Sequence, residues 1–250
     1  MPIQIKTLPT NPPADWDEQS SNPILKEHLK EIRRLHNILI AEHKRSILII
    51  LQGMDASGKD STIKKVISAM NPNGLSIHTF KTPTKLELEH DFLWRVHPCV
   101  PKKGEVVVFN RSHYEDVLIQ RVHQWVDEDT ICNRFQHINQ FEKLLSDHNT
   151  IILKFFLNIS SEEQLRKLND RLVNPKKKWK SDPHDFEERK FWDKYMLCYQ
   201  DILNHCNEIP WYPIPSDNKS YKELLIAKTI HETLLHMNLS YPQSNPVVSP

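Results

Sequence analysis

The segment "SILIILQGMDASGKDSTIKK", Ser46 to Lys65, constrains this chain more than any other. Its first part is a short unbroken apolar run ending in glycine, as in a strand buried on both faces of a parallel sheet. The chain holds only four glycines in 250 residues, and two of them, Gly53 and Gly58, fall inside one six-residue window. That concentration marks a backbone requirement at this place. Strand, glycine loop and helix in this order make a phosphate cradle. Glycines let backbone N–H groups turn inward, the helix offers its positive end, and Lys59 adds a mobile cation.

The loop departs from the usual pattern at its end. G-x-x-x-x-G-K is ordinarily followed by Ser or Thr, whose hydroxyl ligates magnesium. Here Asp60 follows the lysine, and a second acid, Asp55, lies inside the loop. Ala56, Ser57, Asp60 and Ser61 complete the expected phosphate-binding set with Gly53, Gly58 and Lys59, and Ser61 or Thr62 supplies the missing hydroxyl. Asp60 sits at a helix N-terminus, where an acid is stabilising in any case, so its default role is structural.

The rest of the chain repeats the same rhythm. Apolar runs at "LSIHTF", "GEVVVFN", "NTIILKFFLN" and "WYPIP" read as strands. Helical spacing is predicted for Leu25–Leu39 (opened by Asn22-Pro23), Asp60–Met70, "KLELEHDFLWRV", Ser112–His123 and Asp129–Ser146. It recurs over Ser160–Val173, Asp185–His205 and Ser220–Met237. Strands alternating with helices predict one α/β domain with a mostly parallel sheet covered on both faces. Residues 1–22 are expected to form an arm, 23–238 the domain, and 239–250 a loose tail.

Two further segments carry chemistry. In "VVVFNRSHYEDVL" a strand ends at Phe109, so Asn110, Arg111 and His113 lie at the carboxyl edge of the sheet, where open α/β sheets bind ligands. Arg111 is suited to clamp a phosphate through two hydrogen bonds. Asn110 has the length of aspartate without its charge, so Asp55 becomes the acid that serves a metal or an acceptor phosphate. Between Arg166 and Lys180 seven basic residues face one acid, Asp170. Lysine runs are usually solvated faces, but this one, with Lys176, Lys177, Lys178 and Lys180, sits between two helices in the position of a lid.

The bulk properties exclude several classes. A net charge of +1 rules out a polycation, so attraction to polyanions must be local, and no nucleic-acid partner is expected. The four cysteines lack C-x-x-C spacing, and the fourteen histidines lack zinc-site spacing. No secretory leader and no apolar run of about eighteen residues is present, so no membrane role and a cytoplasmic location are expected.

The set "GMDASGKD", "FNRSHYEDVL" and "WKSDPHDFEERKFWDKY", in this order, resembles the polyphosphate kinase 2 family from Asn22 to Asn238. The resemblance implies a P-loop kinase-like three-layer α/β/α fold with a helical lid, here about 166–192. It also implies magnesium-dependent phosphoryl transfer between inorganic polyphosphate and AMP or ADP, with ATP as a further product and other nucleotides as open acceptors. In its terms Asp55 positions Mg2+ and acceptor, Lys59 contacts the transferred phosphates, and Arg111, Arg171 and Lys180 hold phosphates. The nucleotide is expected against Asn110, Arg111, His113, Glu115 and Lys81. The "FNRSHYE" form is similar to the subgroup that accepts nucleoside mono- and diphosphates, and the family implies dimers or tetramers. Ser61 stands where the family commonly has glycine, and Ser181 where it has a large apolar residue. An ATP-dependent nucleotide kinase and a silent polyphosphate-binding module are the alternatives.

Overall fold

Alternate residues of the first strand belong to two different cores. In β1 (Ser46–Gln52), Leu48 and Ile50 pack on one face of the sheet, while Ile47, Ile49 and Leu51 pack on the other. A strand buried on both faces needs apolar residues at both parities, which is why the run is continuous. The computed structural model describes residues 2–243. Its five strands are all parallel, in the order β2-β3-β1-β4-β5, with β2 at Leu75–Thr79, β3 at Val106–Asn110, β4 at Thr150–Asn158 and β5 at Trp211–Pro215.

Helices α1 (Glu18–Glu42), α2 (Lys59–Lys65) and α9 (Lys219–His236) cover one face. On the other lie α4 (Glu115–Val122), α5 (Glu128–Asp147) and α8 (Trp192–His205). The α/β reading therefore holds as three layers. Ile5 of the N-terminal segment is buried in the second core, and Asn204 receives a hydrogen bond from Ile3 N at 2.6 Å.

Several boundaries differ from those predicted. Helix α1 begins at Glu18, capped by Asp17, whose side chain accepts from Ser20 N at 2.7 Å. Pro23 lies inside it, forfeiting one helical bond that the long helix tolerates. Helix α2 stops at Lys65 and continues as a short 3-10 turn, Ile67–Ala69. Only Lys85–Leu88 of "KLELEHDFLWRV" is helical, as α3, held by a capping box between Thr84 and Glu87. The helix predicted over Asp185–His205 is two: α7 (Pro183–Arg189) and α8, with a break at Lys190–Phe191. The segment expected to form the lid, about 166–192, is built from α6 (Ser161–Val173), a basic turn and α7. The tail expected over 239–250 lies outside the described residues from 244 onward.

Candidate active site

The loop after β1 has a shape only glycine permits at two points. Gly53 has φ +147°, and a Cβ there would stand 2.7 Å from Leu157 O. Gly58 has φ +101°, and its Cβ would stand 2.0 Å from Lys222 Nζ. Between them Ala56 also takes a left-handed backbone, φ 62°. Lys59 folds back across the loop, donating to Gly53 O at 2.6 Å and Met54 O at 3.1 Å. Burial, helped by the Arg111 charge, pulls its pKa down to about 8 against the opposing carboxylates of Asp55, Glu115 and Asp60.

The β1–β3 pairing sets Leu51 opposite Asn110, and Arg111 N donates to Leu51 O at 3.2 Å. This register brings the two motifs together. Arg111, in a left-handed conformation at φ 61°, reaches Asp55 Oδ1 at 2.5 Å and Glu115 Oε2 at 3.7 Å. Burial works to raise the Asp55 carboxyl, but the charges of Arg111, Lys59 and Arg171 outweigh it and keep the group ionised. Glu115 and Asp55 in turn hold the Arg111 guanidinium firmly charged despite its burial.

Asp60 and Asn110 meet at the mouth of the site, Asn110 Nδ2 donating to Asp60 Oδ1 at 3.2 Å. The other Asp60 oxygen receives Lys180 of the lid at 2.8 Å. Asp60 thus ties Asn110 and Lys180 to the first turn after the loop, in keeping with a structural role. Burial tends to raise its carboxyl, yet the bond and charge of Lys180, with Asn110 and Lys59, hold it below the usual range.

Besides a small pocket lined by Gly53, Met54, Asp55, Arg111 and Glu115, two larger clefts border the loop. One is formed by Asp55, Lys59, Asn110, Arg111 and the lid residues Trp179 and Lys180. The other runs from the loop between α6 and α9, with Arg166, Lys167, Lys177, Lys219 and Lys222 along it. Ala56, Gly58, Ser61, Arg171 and Lys180 line both. Arg171 is held by Asp185 of α7 at 2.6 Å.

Not every expected residue is brought here. His113 is completely buried against Phe141 and Tyr114, 3.6 Å from Glu142, because the chain turns inward after Arg111. It does not line either cleft, and this corrects its assignment as a nucleotide contact. Lys81, Lys176 and Lys178 are exposed and also lie outside both linings. Lys177 reaches its cleft while bonded to Asp170 at 2.5 Å. Ser57 is buried within the loop, and Glu115 takes Gln52 Nε2 at 3.1 Å beneath it.

Sequence reasoning missed the supports of the loop. Gln164 Nε2 of α6 donates to Asp55 O at 3.1 Å, and Arg189 of α7 donates to Gln164 Oε1 at 2.6 Å. Lys222 of α9 donates to Ser61 Oγ at 3.0 Å. A signal for Lys222 existed: it stands on the stripe of Ile226, Ile230 and Leu234, where an apolar residue belongs.

These features fit an Mg2+ ion. Magnesium takes one or two carboxylates and completes its shell with water and phosphate oxygens, and Asp55 is a half-buried, ionised carboxylate beside Lys59. No cluster of three or more His, Cys, Asp or Glu side chains suited to hold a metal occurs among the described residues. No helix among the described residues is long and apolar enough to cross a membrane.

Known proteins share this architecture. An AMP/ADP-polyphosphate phosphotransferase of Meiothermus ruber is 44% identical over 216 residues, covering 86% of this chain and 81% of its own. An ADP-polyphosphate phosphotransferase of Rhodopseudomonas palustris is 37% identical over 237 residues, covering 89% of this chain and 82% of its own. The crystal structure of polyphosphate kinase 2 from Arthrobacter aurescens superposes with a TM-score of 0.95 at 35% identity, covering 98% of this chain and 90% of that one. The sequence profile of polyphosphate kinase 2 matches residues 16–242, and the chain belongs to that family.

Proposed function

We propose that this protein is a phosphotransferase that moves phosphoryl groups between inorganic polyphosphate and AMP or ADP, forming ADP or ATP. One observation carries the reading: two clefts share the lining residues Gly58, Ser61, Arg171 and Lys180, so a donor chain in one and an acceptor phosphate in the other can meet at the loop. A one-sided nucleotide pocket would need no long basic cleft between α6 and α9.

In the transfer, an oxygen of the acceptor phosphate forms a bond to the terminal phosphorus of polyphosphate. The phosphoanhydride bond behind that phosphorus breaks, leaving a chain shorter by one unit. Such a reaction asks chiefly for positioning and charge neutralisation. Lys59 lies by the transferred group, free to leave the Gly53 and Met54 carbonyls when phosphate oxygens replace them. Arg111, released from Asp55, is placed for the acceptor phosphate with Asn110 and Glu115 nearby. The lid cations Arg171 and Lys180 balance charge on the donor and shut out water. Magnesium, held by Asp55 and phosphate oxygens, supplies further neutralisation when bound. The family resemblance supports a homo-oligomer, dimer or tetramer, which sedimentation velocity tests.

The purified protein incubated with AMP, polyphosphate and Mg2+ is expected to form ADP and then ATP. Product no higher than in a Lys59→Ala control sinks the proposal, and turnover that requires ATP as donor replaces it with an ATP-dependent kinase.

A further inference from the structure

Lys222 is an unusual residue for the place it occupies. It is 1% exposed, yet its ammonium has no carboxylate within 4 Å among the described residues. Its contacts are all with the loop: Ser61 Oγ at 3.0 Å, Gly58 O at 3.3 Å and Ser57 O at 3.5 Å. Buried cations are normally paired, because an uncompensated one costs several kcal/mol. This one is left facing a phosphate loop and the floor of the basic cleft.

We propose that Lys222 is a positioning residue for the donor chain, holding the phosphate loop in its anion-binding shape and leaving an unneutralised charge beneath the polyphosphate cleft. The inference rests on the polyphosphate reading above and deepens it.

In a planar trans peptide the carbonyl of one residue and the N–H of the next point in opposite directions. Drawing the carbonyls of Ser57 and Gly58 toward Lys222 therefore turns the N–H groups of Gly58 and Lys59 the other way. Gly58 O also accepts from Thr62 N at 3.1 Å and Ser61 Oγ at 2.9 Å, so its direction is fixed from several sides. The absence of a side chain at Gly58 is what admits the amine.

Burial, with repulsion from Lys167, Lys219 and Lys59, pulls the Lys222 amine down to about 7 against the single favourable charge of Glu223. A phosphate chain in the cleft is the anion that relieves this arrangement. Ser61 is then a matched feature: its hydroxyl accepts from Lys222 and donates to Gly58 O.

Lys222→Met keeps the stem and removes the amine. The KM for polyphosphate is expected to rise about tenfold, as for loss of a hydrogen bond from a charged group, with the KM for AMP within about twofold. The melting temperature should hold or rise, since a buried unpaired charge is replaced by an apolar group. Ser61→Ala should raise the same KM less, and add nothing in the Lys222→Met background. A folded Lys222→Met enzyme with unchanged polyphosphate KM overturns the inference, as does a fall in melting temperature alone. If Lys222→Met does not fold, Lys222→Gln is read by the same criteria. Calorimetric binding of tripolyphosphate to wild type and variant separates the two readings. Wild-type binding without turnover defeats the enzyme assignment, whereas equal binding by both proteins defeats only the role of Lys222.

Discussion

Lys180 Nζ and Asp60 Oδ2 lie 2.8 Å apart across 120 residues of sequence, joining the lid to the first turn after the phosphate loop. The contact means that the lid cation is already engaged before any phosphate arrives. Asp60 also places a negative charge where a polyanion must pass.

The Lys180 and Asp60 side chains are partly exposed, at 34% and 64%, so the bond adds little stability. Asp60→Asn should leave the melting temperature within about 2 °C of wild type while lowering the polyphosphate KM severalfold, because a competing anion is removed. Thermal melts and steady-state kinetics check both. A raised KM would show instead that Asp60 serves the substrate directly.

Lys59 trades stability for function. Its folded pKa of about 8 lies below the ordinary lysine value of 10.5, so the unfolded chain binds more protons between those pH values. This group's contribution to stability therefore rises with pH across that window, and the burial cost is fully present below pH 8. Lys59→Met should lose about 10²–10³-fold or more in kcat. It should melt about 2–4 °C higher at pH 7, with the gain shrinking as pH climbs toward 10.5. Melting curves across pH report the trend.

Asp55→Asn addresses the metal. Chelation by EDTA should stop turnover in wild type, with added Mg2+ restoring it. The variant should need far more Mg2+ for half its maximal rate, and that maximum should be lower by about 10²-fold or more. A magnesium titration at saturating AMP and polyphosphate is the measurement, and an unchanged Mg2+ requirement would move the metal to other ligands.

Away from the site, a fully buried polar cluster invites a stability test. Lys154 donates to Glu142 Oε2 at 2.6 Å and to Tyr114 OH at 3.0 Å, and Tyr114 OH donates to Glu142 Oε1 at 2.7 Å. Glu142→Gln leaves the Lys154 charge without its counter-ion and should cost about 3–5 kcal/mol in urea denaturation. The double variant with Lys154→Met should recover part of that loss.

The strand–loop–helix was legible because its signals are local: apolar parity in β1, glycine at Gly53 and Gly58, a cation at Lys59. The break between α7 and α8 was hidden, since apolar spacing runs straight through Phe191 and Trp192. The true start of α1 was signalled by Asp17 followed by Glu18, but Asn22-Pro23 carried the stronger local pattern. His113 looked like a site residue from its place after a strand end, and only the left-handed turn at Arg111 reveals that it points inward. Gln164 acts on Asp55 across 109 residues and Lys222 on Ser61 across 161, so periodicity, which marks Lys222 as a cation on an apolar stripe, names no partner for either.

The pairing of Leu51 with Asn110 has a consequence for how this enzyme can change. Asp55 and Arg111 sit just beyond the ends of adjacent strands, so their separation inherits the inter-strand spacing of the sheet, about 4.8 Å. The connection holding α3 contributes nothing to that distance. Insertions or deletions in the largely exposed stretch 83–91 are thereby uncoupled from that spacing, whereas just beyond it Arg95 pairs with Asp116 of α4 and Val96 is fully buried in the core.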